Sequence, residues 1–257
     1  MKENHLSVIL PALGATLLAA ALLGCATPTN KVLNKAPSAR IVRIMPLGDS
    51  ITFDNRRNDM RPVGVRIAYR YDLYRLLNSA GYACDFVGSE NAGERYLGPE
   101  LDDNAGFPGI KAAQLARLIK TGYSERSSTQ VTPGPYLETH PADIILLHIG
   151  TNGLEPIPDG VEDVLDGIRA SDPEVRILVA RIIDRYPHSE LTSAFNDSVE
   201  AMVKARGDGR ITLVDMERGA GIDYYTDMDD DLHPNHLGYR KMAAVWYEAL
   251  ISLEPTP

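Results

Sequence analysis

The amino-acid sequence predicts a three-layer α/β/α fold, in which helices cover both faces of a five-stranded parallel sheet. Two observations lead to this prediction. Short apolar runs, typical of strands buried on both faces, alternate with segments whose apolar residues recur at helical spacing. Strands that alternate with helices are joined by crossovers, so the sheet they form is parallel. The 257 residues, 44% hydrophobic and 24% charged, have a globular composition, and one core of this size is common for α/β domains.

The individual elements follow from these patterns in chain order. The first strand is nearly continuous in apolar residues and stops at Gly48. The predicted strands cover 41–47, 83–87, 143–149, 175–180 and 211–214. Apolar residues on one helical face predict helices over 69–77, 111–120, 161–168, 191–203 and 239–250.

The topology predicts which loops surround a functional site. Segments that follow a strand open at the carboxyl edge of a parallel sheet, where α/β proteins bind their ligands. These segments are 53–66, 89–108, 153–159, 183–189 and 217–229. Segment 123–141 follows a helix, so despite its length we expect it to lie at the opposite edge.

Polar residues stand at three of the predicted element ends. Gly48-Asp49-Ser50 ends the first strand, Gly150-Thr151-Asn152 ends the third, and Asp230-Asp231-Leu232-His233 lies just before the last helix. Each segment alone is ordinary turn chemistry. Together they offer a hydroxyl, an amide, and a carboxylate with an imidazole, which are the groups that acyl transfer needs.

A serine nucleophile at Ser50 needs a base that removes its proton, and histidine is the usual one. His233 is the best candidate, because Asp230 lies three residues before it and can accept a hydrogen bond from one imidazole nitrogen. Taken alone, the acidic stretch around Asp230 is equally well explained as a solvated loop or a metal site. His188 follows the fourth strand and is a candidate for substrate contact, whereas His148, inside the third strand, is interpreted as structural.

These segments resemble the hallmarks of the SGNH (GDSL) hydrolases, since Gly-Asp-Ser, a glycine, Gly-x-Asn and Asp-x-x-His occur in the family's order. Segments 44–52, 85–89 and 147–152 are most similar to the acetylxylan-esterase-like branch, carbohydrate esterase family three. The resemblance covers nearly the whole of 40–253. It implies a flavodoxin-like fold and ester hydrolysis through an acyl-serine intermediate, without a metal or an organic cofactor.

The resemblance also implies roles for the polar residues. Ser50 is the nucleophile, His233 the base, and Asp230 the acid that orients the base. The Asp-x-x-His spacing selects Asp230 over Asp231, whose position is commonly glycine in the family. Asp49 is interpreted as structural, with its carboxylate bound to nearby backbone around the nucleophile turn.

By the same resemblance, the oxyanion of the tetrahedral intermediate is held by the backbone N–H groups of Ser50 and Gly109 and by the side-chain amide of Asn152. Gly109 is preferred to Gly106 because Pro-Gly directly before a helix matches the family's position. Gly153 stands where the family often has aspartate. We expect this departure to loosen the loop that holds Asn152.

Segment 53–66 is rich in arginine, and the predicted topology places it beside Ser50. One interpretation is a solvated loop in which Asp54 and Asp59 balance part of the charge. The other is a polar lid for a sugar or a uronic acid, with candidate substrate contacts at Arg56, Arg57 and Arg61. Segment 89–108 is also polar, so the rim offers no sustained apolar groove for a long acyl chain.

The first 39 residues are predicted to precede the catalytic domain, which covers 40–254. Residues 1–24 form an apolar signal peptide, and 25–39 form a flexible tether. Leu22-Leu23-Gly24-Cys25 resembles a bacterial lipobox, in which the cysteine is lipidated. An incidental Cys25 in a cleaved signal or an uncleaved anchor is the alternative. We expect an extracytoplasmic protein of the bacterial cell envelope, held at the membrane only by a lipid on Cys25.

The net charge of the chain and the polar loops around the predicted site limit the functions that the sequence supports. The net charge of -9 argues against nucleic acid or an anionic membrane surface as the main partner. We expect a serine esterase that cleaves short acyl esters, acetyl above all, on xylan or a similar glycan. One alternative is a lipolytic or aryl esterase, or a lysophospholipase, on the same scaffold. A non-catalytic, glycan-binding envelope lipoprotein is another.

Overall fold

The computed structural model describes residues 40–253. The predicted signal peptide (1–24), the tether (25–39) and the lipidation site Cys25 lie outside these residues. Within the described range, every helix is too short or too polar to cross a membrane.

The chain folds around one large, mostly parallel sheet. The strands are β1 (Val42–Gly48), β2 (Cys84–Phe86), β3 (Glu90–Asn91), β4 (Asp103–Gly106), β5 (Tyr123–Ser124), β6 (Thr129–Gln130), β7 (Ile144–His148), β8 (Arg176–Arg181) and β9 (Ile211–Asp215). Seven of them form the large sheet in the order β3-β4-β1-β7-β8-β9, with β2 also paired to β1. Only the β3–β4 pair in this sheet is antiparallel, and β5–β6 is a separate hairpin.

Helices connect the strands of the sheet. They are α1 (Ser50–Phe53), α2 (Arg70–Ser79), α3 (Glu94–Leu97), α4 (Ala112–Thr121), α5 (Tyr136–Thr139), α6 (Asp159–Ser171), α7 (Glu190–Arg206), α8 (Met216–Gly219) and α9 (His236–Ile251). The five predicted helices correspond to α2, α4, α6, α7 and α9. The others are single turns, too short to show a helical period in the sequence.

Alternate residues of the central strands face two separate cores. On β1, Met45 and Leu47 pack with residues of α4, α6 and α7, whereas Ile44 packs with residues of α2 and α9. All five residues of β7 are buried. This burial on both faces explains why the strands read as continuous apolar runs. Each Leu or Ile that is fully buried stabilises the fold by about 1.5–3 kcal/mol.

The predicted fold class is confirmed, and the five predicted strands are β2, β1, β7, β8 and β9 in that order across the sheet. The strand count is larger than predicted because β3 and β4 arise in segment 89–108, which we expected to be loop. β4 has the sequence Asp-Asn-Ala-Gly, which carries no strand pattern. It forms because it pairs with the last residues of β1, where Leu47 faces Ala105 and Gly48 faces Gly106.

The expectation that segment 123–141 lies wholly at the far edge of the sheet is wrong for its first part. After α4 the chain reverses, and the β5–β6 hairpin runs back along the helix. The guanidinium of Arg117, on α4, donates to Glu125 at 2.7 Å. The next residue, Arg126, reaches Gly109 in front of the helix.

Candidate active site

Ser50 is placed by the turn between β1 and α1. Gly48 permits this turn to sit close to β7, because a Cβ on Gly48 would collide with the carbonyl oxygen of His148. Asp49 then caps α1, its Oδ1 accepting from the N–H of Ile51 at 3.0 Å. Ser50 is the first residue of α1 and is buried. The nucleophile candidate is therefore fixed by backbone on all sides.

Ser50, His233 and Asp230 form a continuous hydrogen-bonded chain. Ser50 Oγ lies 3.0 Å from His233 Nε2. His233 Nδ1 lies 3.0 Å from both carboxylate oxygens of Asp230. Because a carboxylate can only accept, Nδ1 carries the proton and Nε2 accepts from the serine hydroxyl. The side chain of Asp231 has no part in this chain, and its backbone carbonyl accepts from the N–H of Tyr186 at 2.8 Å.

The Asp230 carboxylate is kept ionised by its own loop. Burial would raise its pKa, but the backbone N–H groups of Leu232 and His233, at 2.9 and 2.7 Å, and the His233 imidazole outweigh burial and lower the pKa. A permanent negative charge next to Nδ1 stabilises the imidazolium that forms when His233 accepts a proton.

The loop that carries Asp230 and His233 is held at both ends. Asp229 N–H donates to the His233 carbonyl at 2.8 Å, which closes the turn. Asn235 caps the long helix α9, its side chain accepting from the N–H of Leu237 at 2.8 Å. Asp227 binds the ammonium of Lys241 on the same helix at 2.6 Å. The position of the imidazole is therefore set by α9.

Three N–H groups in the segments that follow β1, β4 and β7, those of Ser50, Gly109 and Asn152, are candidates for binding the oxyanion. Asn152 donates one amide hydrogen to the Ile110 carbonyl at 3.1 Å, which leaves its second hydrogen available. Within residues 40–253, the N–H groups of Ser50 and Gly109 donate to no other protein group. The N–H of Gly106 is already bound to the side chain of Asn104 at 2.9 Å. This geometry favours Gly109 over Gly106 as an oxyanion donor.

Two of the loop glycines adopt the left-handed conformation. Gly109 has φ +78° and Gly153 has φ +63°, values that side chains disfavour. Glycine suits the left-handed backbone at position 153, where the family often has aspartate. Asn152 stays bound to Ile110. A looser loop at Gly153 remains a prediction.

Two buried polar residues lie below the nucleophile turn. Burial raises the pKa of Asp49 to about 6, although hydrogen bonding to Ile51 opposes that shift. Its second oxygen and the hydroxyl of Thr151 have no partner in the described chain. Burial lowers the pKa of His148 to about 4, and its Nε2 accepts from the N–H of Ile183 at 3.3 Å. His148 is therefore a neutral residue that packs inside the sheet.

The arginines of segment 53–66 mostly point back into their own loop. Arg61 binds Asp54 and Asp59 at 2.7 and 2.6 Å, and these carboxylates raise its pKa. Arg56 pairs with Asp229, next to Asp230, at 2.7 Å, whereas Arg57 is exposed. The first of the two interpretations, a solvated loop in which Asp54 and Asp59 balance part of the charge, therefore holds for Arg61. It does not hold for Arg57.

His188 lies at the outer rim, with 67% of its side chain exposed, and its Nδ1 contacts the carboxylate of Asp184. Its role in substrate contact remains a prediction. Sequence reasoning missed two tyrosines near the same loop, Tyr186 and Tyr225, which are 41% and 80% exposed. Their rings pack with centroids 4.8 Å apart. They come from different loops, so no local sequence pattern connects them.

The fold and this geometry agree with comparisons to known proteins. The sequence model of the GDSL-like Lipase/Acylhydrolase family matches residues 46–241, and the chain belongs to this family.

Solved structures of family 3 carbohydrate esterases are similar to this chain. The enzyme of Clostridium thermocellum is 31% identical, with a TM-score of 0.64 over 81% of this chain and 94% of that one. The enzyme of Talaromyces cellulolyticus is 25% identical, with a TM-score of 0.65 over 82% and 97%. These similarities confirm the resemblance to carbohydrate esterase family three that segments 44–52, 85–89 and 147–152 indicate.

A curated relative is the multidomain esterase of Ruminococcus flavefaciens. It is 27% identical over 89% of this chain. This chain spans only 31% of the length of that relative, so the comparison concerns one part of the larger protein.

Proposed function

We propose that this esterase removes short acyl groups, acetyl above all, from carbohydrate through an acyl-Ser50 intermediate. The observation that carries the proposal is the chain from Asp230 through His233 to Ser50, at 3.0 Å in each step, together with three available N–H donors at the same edge of the sheet. A nucleophile, its base and a preorganised oxyanion site are the parts that acyl transfer needs.

The reaction proceeds in two balanced halves. His233 Nε2 takes the hydroxyl proton as Ser50 Oγ attacks the ester carbonyl, and the developing oxyanion is bound by Ser50, Gly109 and Asn152. The tetrahedral intermediate breaks its bond to the alcohol, which takes the proton from His233 and leaves the acyl-serine. Water then attacks the acyl carbon and gives a proton to His233, and the second tetrahedral intermediate breaks its bond to Ser50 Oγ, which takes that proton back as the carboxylic acid leaves. Each oxyanion donor contributes about 2.7 to 4 kcal/mol to transition-state stabilisation.

The preference for a short acyl group rests on the surroundings of Asn152. A cavity of about 270 Å³ opens beside it, lined by Phe195 and Ile157 but also by Lys111 and Glu155. Charged walls of this kind are unfavourable for a long alkyl chain, which needs a sustained apolar surface.

The preference for carbohydrate rests on polar and aromatic groups around His233. Tyr186 is anchored by its backbone to Asp231, so the exposed Tyr186–Tyr225 pair stands close to the histidine loop. A second cavity, of about 360 Å³, is lined by Asp229, the residue directly before Asp230, and by Tyr96. A sugar ring can stack on such aromatic surfaces while its hydroxyl groups bind the polar rim. The names of the similar family 3 carbohydrate esterases point in the same direction.

A hydrolysis panel tests the proposal. Catalytic efficiency on acetyl, butyryl, octanoyl and decanoyl esters should fall with chain length, and acetate should be released from acetylated xylan. A maximum at octanoyl or beyond would favour a lipolytic enzyme instead. A fluorophosphonate probe should label the wild type and not Ser50→Ala. A wild type that neither reacts with the probe nor cleaves any ester would favour the glycan-binding alternative.

We also propose that a lipid on Cys25 holds the enzyme at the bacterial envelope. The Leu22-Leu23-Gly24-Cys25 segment supports this proposal. Cys25→Ser should release the protein from the membrane fraction or leave an unprocessed precursor. Unchanged fractionation, with the mature terminus mapped to another residue, would contradict it.

A further inference from the structure

Two arginines near Gly109 and Asn152 lack a carboxylate partner within residues 40–253. The guanidinium of Arg126 lies against Gly109, its Nε 2.8 Å from the point that a Cβ on Gly109 would occupy. Arg185 donates from Nη2 to the Thr151 carbonyl at 3.3 Å, and its Nε is buried without any partner. Both guanidinium groups therefore keep donors for which the described protein supplies no acceptor.

Both arginines contact residues next to the proposed oxyanion donors. Arg126 lies against Gly109, and the carbonyl of Ile110, the next residue, accepts from Asn152 at 3.1 Å. Arg185 donates to the carbonyl of Thr151, the residue directly before Asn152. A substrate whose carbonyl oxygen is held by Asn152 thus has two positive charges nearby.

Two other arginines near the site are balanced by carboxylates, whereas Arg57 is exposed and has no carboxylate partner within residues 40–253. Arg56 and Arg61 are each within 2.7 Å of a carboxylate. Lys111 also lies close to Gly153, the residue after Asn152, but the cavity beside Asn152 that Lys111 lines is also lined by Glu155 and Asp159. Its charge is therefore partly balanced, and Arg126 and Arg185 alone carry the inference.

We propose that Arg126 and Arg185 bind a carboxylate on the substrate, so that the enzyme prefers acetylated uronic acid residues to acetylated neutral sugars. This inference rests on the proposed function and specifies its carbohydrate. A planar guanidinium matches a carboxylate with two parallel hydrogen bonds, which a hydroxymethyl group cannot reproduce. The net charge of the chain is -9, so two unpaired cations beside one amide run against the overall charge and favour an anionic ligand there.

The first test compares mono-O-acetyl galacturonic acid with its methyl ester, in which a methyl group replaces the negative charge of the carboxylate. We expect kcat/KM for acetate release to be about tenfold or more higher for the acid, the effect of one or two charge-assisted hydrogen bonds. Raising the ionic strength should reduce this ratio, because salt screens exposed charges. A ratio at or below one would overturn the inference.

The second test changes the arginines. Arg126→Gln and Arg185→Gln should each lower the acid-to-ester ratio, and the double variant should bring it close to one. Arg210→Gln is the matched control: Arg210 precedes β9 at the opposite edge of the sheet and pairs with Glu174. It should leave the ratio at the wild-type value.

The two proposals can fail separately. If wild type cleaves neither substrate nor p-nitrophenyl acetate, the proposed esterase function fails. If all esters are cleaved but the arginine variants lower turnover of acid and ester equally, the arginines stabilise the oxyanion in general, and the uronic acid preference is refuted. Far-ultraviolet circular dichroism and thermal melting verify that each variant is folded.

Discussion

On one side of the active site, around the histidine loop and segment 53–66, nearly every charged group has a partner, whereas around Gly109 and Asn152 several donors have none. Asp230 receives two backbone N–H groups and an imidazole, and Arg61 binds two carboxylates. Opposite them, the N–H of Gly109 and one hydrogen of Asn152 are uncommitted. We call the first region the held side, because its groups are kept in place by protein partners. We call the region around Gly109 and Asn152 the open side, because its donors are left for the substrate.

The held side predicts the largest loss of activity. Ser50→Ala and His233→Ala should each lower kcat/KM by at least about 10⁴-fold, because the hydroxyl and its base act as one unit. Asp230→Asn should cost less, since the acid orients the imidazole and stabilises its charge. Steady-state kinetics with an acetyl ester measures all three. A larger effect of Asp231→Asn than of Asp230→Asn would show that the acid is one residue away.

The open side predicts a smaller loss of activity without a loss of stability. Asn152→Ala should lower kcat by about 10²–10³-fold with little change in KM, because the amide binds charge that develops in the transition state. Asn196 is the matched control: it is buried, and its amide binds both the N–H and the carbonyl of Ile182, at 2.8 Å each. Asn196→Ala should therefore lower Tm. If Asn152→Ala also lowers Tm as far, its amide belongs to the held side.

Two arginines of segment 53–66, one paired and one exposed, are expected to differ in their contribution to stability. Arg61→Gln would leave the buried carboxylate of Asp54 without an ion pair and that of Asp59 with only Arg66, at 3.8 Å, and should cost about 2 kcal/mol of stability. In a domain of this size that is a fall in Tm of about 4–8 °C. Arg57→Gln removes an exposed arginine and should leave Tm unchanged. Thermal melts of both variants measure the difference, and equal melting temperatures would refute the structural role of Arg61.

The smallest effect concerns Asp49, whose pKa burial raises to about 6. A carboxyl group whose pKa is higher in the folded state stabilises the fold below its unfolded pKa, near 4, and that contribution is lost as pH rises through about 6. Asp49→Asn keeps an acceptor for Ile51 and cannot ionise. Its Tm should exceed that of the wild type by a few degrees at pH 7, and the gap should close below pH 4. A gap independent of pH would contradict this account.

The sequence predicts the parts of this site that depend on local spacing. Asp230 and His233 are three residues apart, and both lie in one turn, so their contact follows from the chain itself. Ser50 and His233 are 183 positions apart, but the order of strands and helices brings both to one edge of the sheet. The choice of Gly109 over Gly106 is different. It depends on the side chain of Asn104, which occupies the Gly106 N–H.

Other features depend on contacts that no sequence pattern marks. β4 has no apolar alternation and exists only through its pairing with β1. Arg126 reaches Gly109 because a hairpin reverses along α4, and a lone arginine in a polar turn gives no sign of this. The Tyr186–Tyr225 pair joins two separate loops. Such features arise from tertiary packing, which local propensity does not encode.

The edge of β1 is shared by two strands in succession, since Ile44 pairs with Phe86 of β2 and Leu47 pairs with Ala105 of β4. The chain leaves the edge of β1 after β2 and returns to it at β4, and the excursion 92–102 between β3 and β4 is closed by the N–H of Ala92, which donates to the carbonyl of Asp102 at 3.0 Å. Such an excursion can change in length or be exchanged without shifting the strand register, because its end-to-end distance is fixed and lengthening a loop costs little entropy. For protein engineering, the half-buried to exposed turn 98–100 of this excursion is a site for grafting, where the surface can be rebuilt while Ser50, His233 and Asn152 keep their positions.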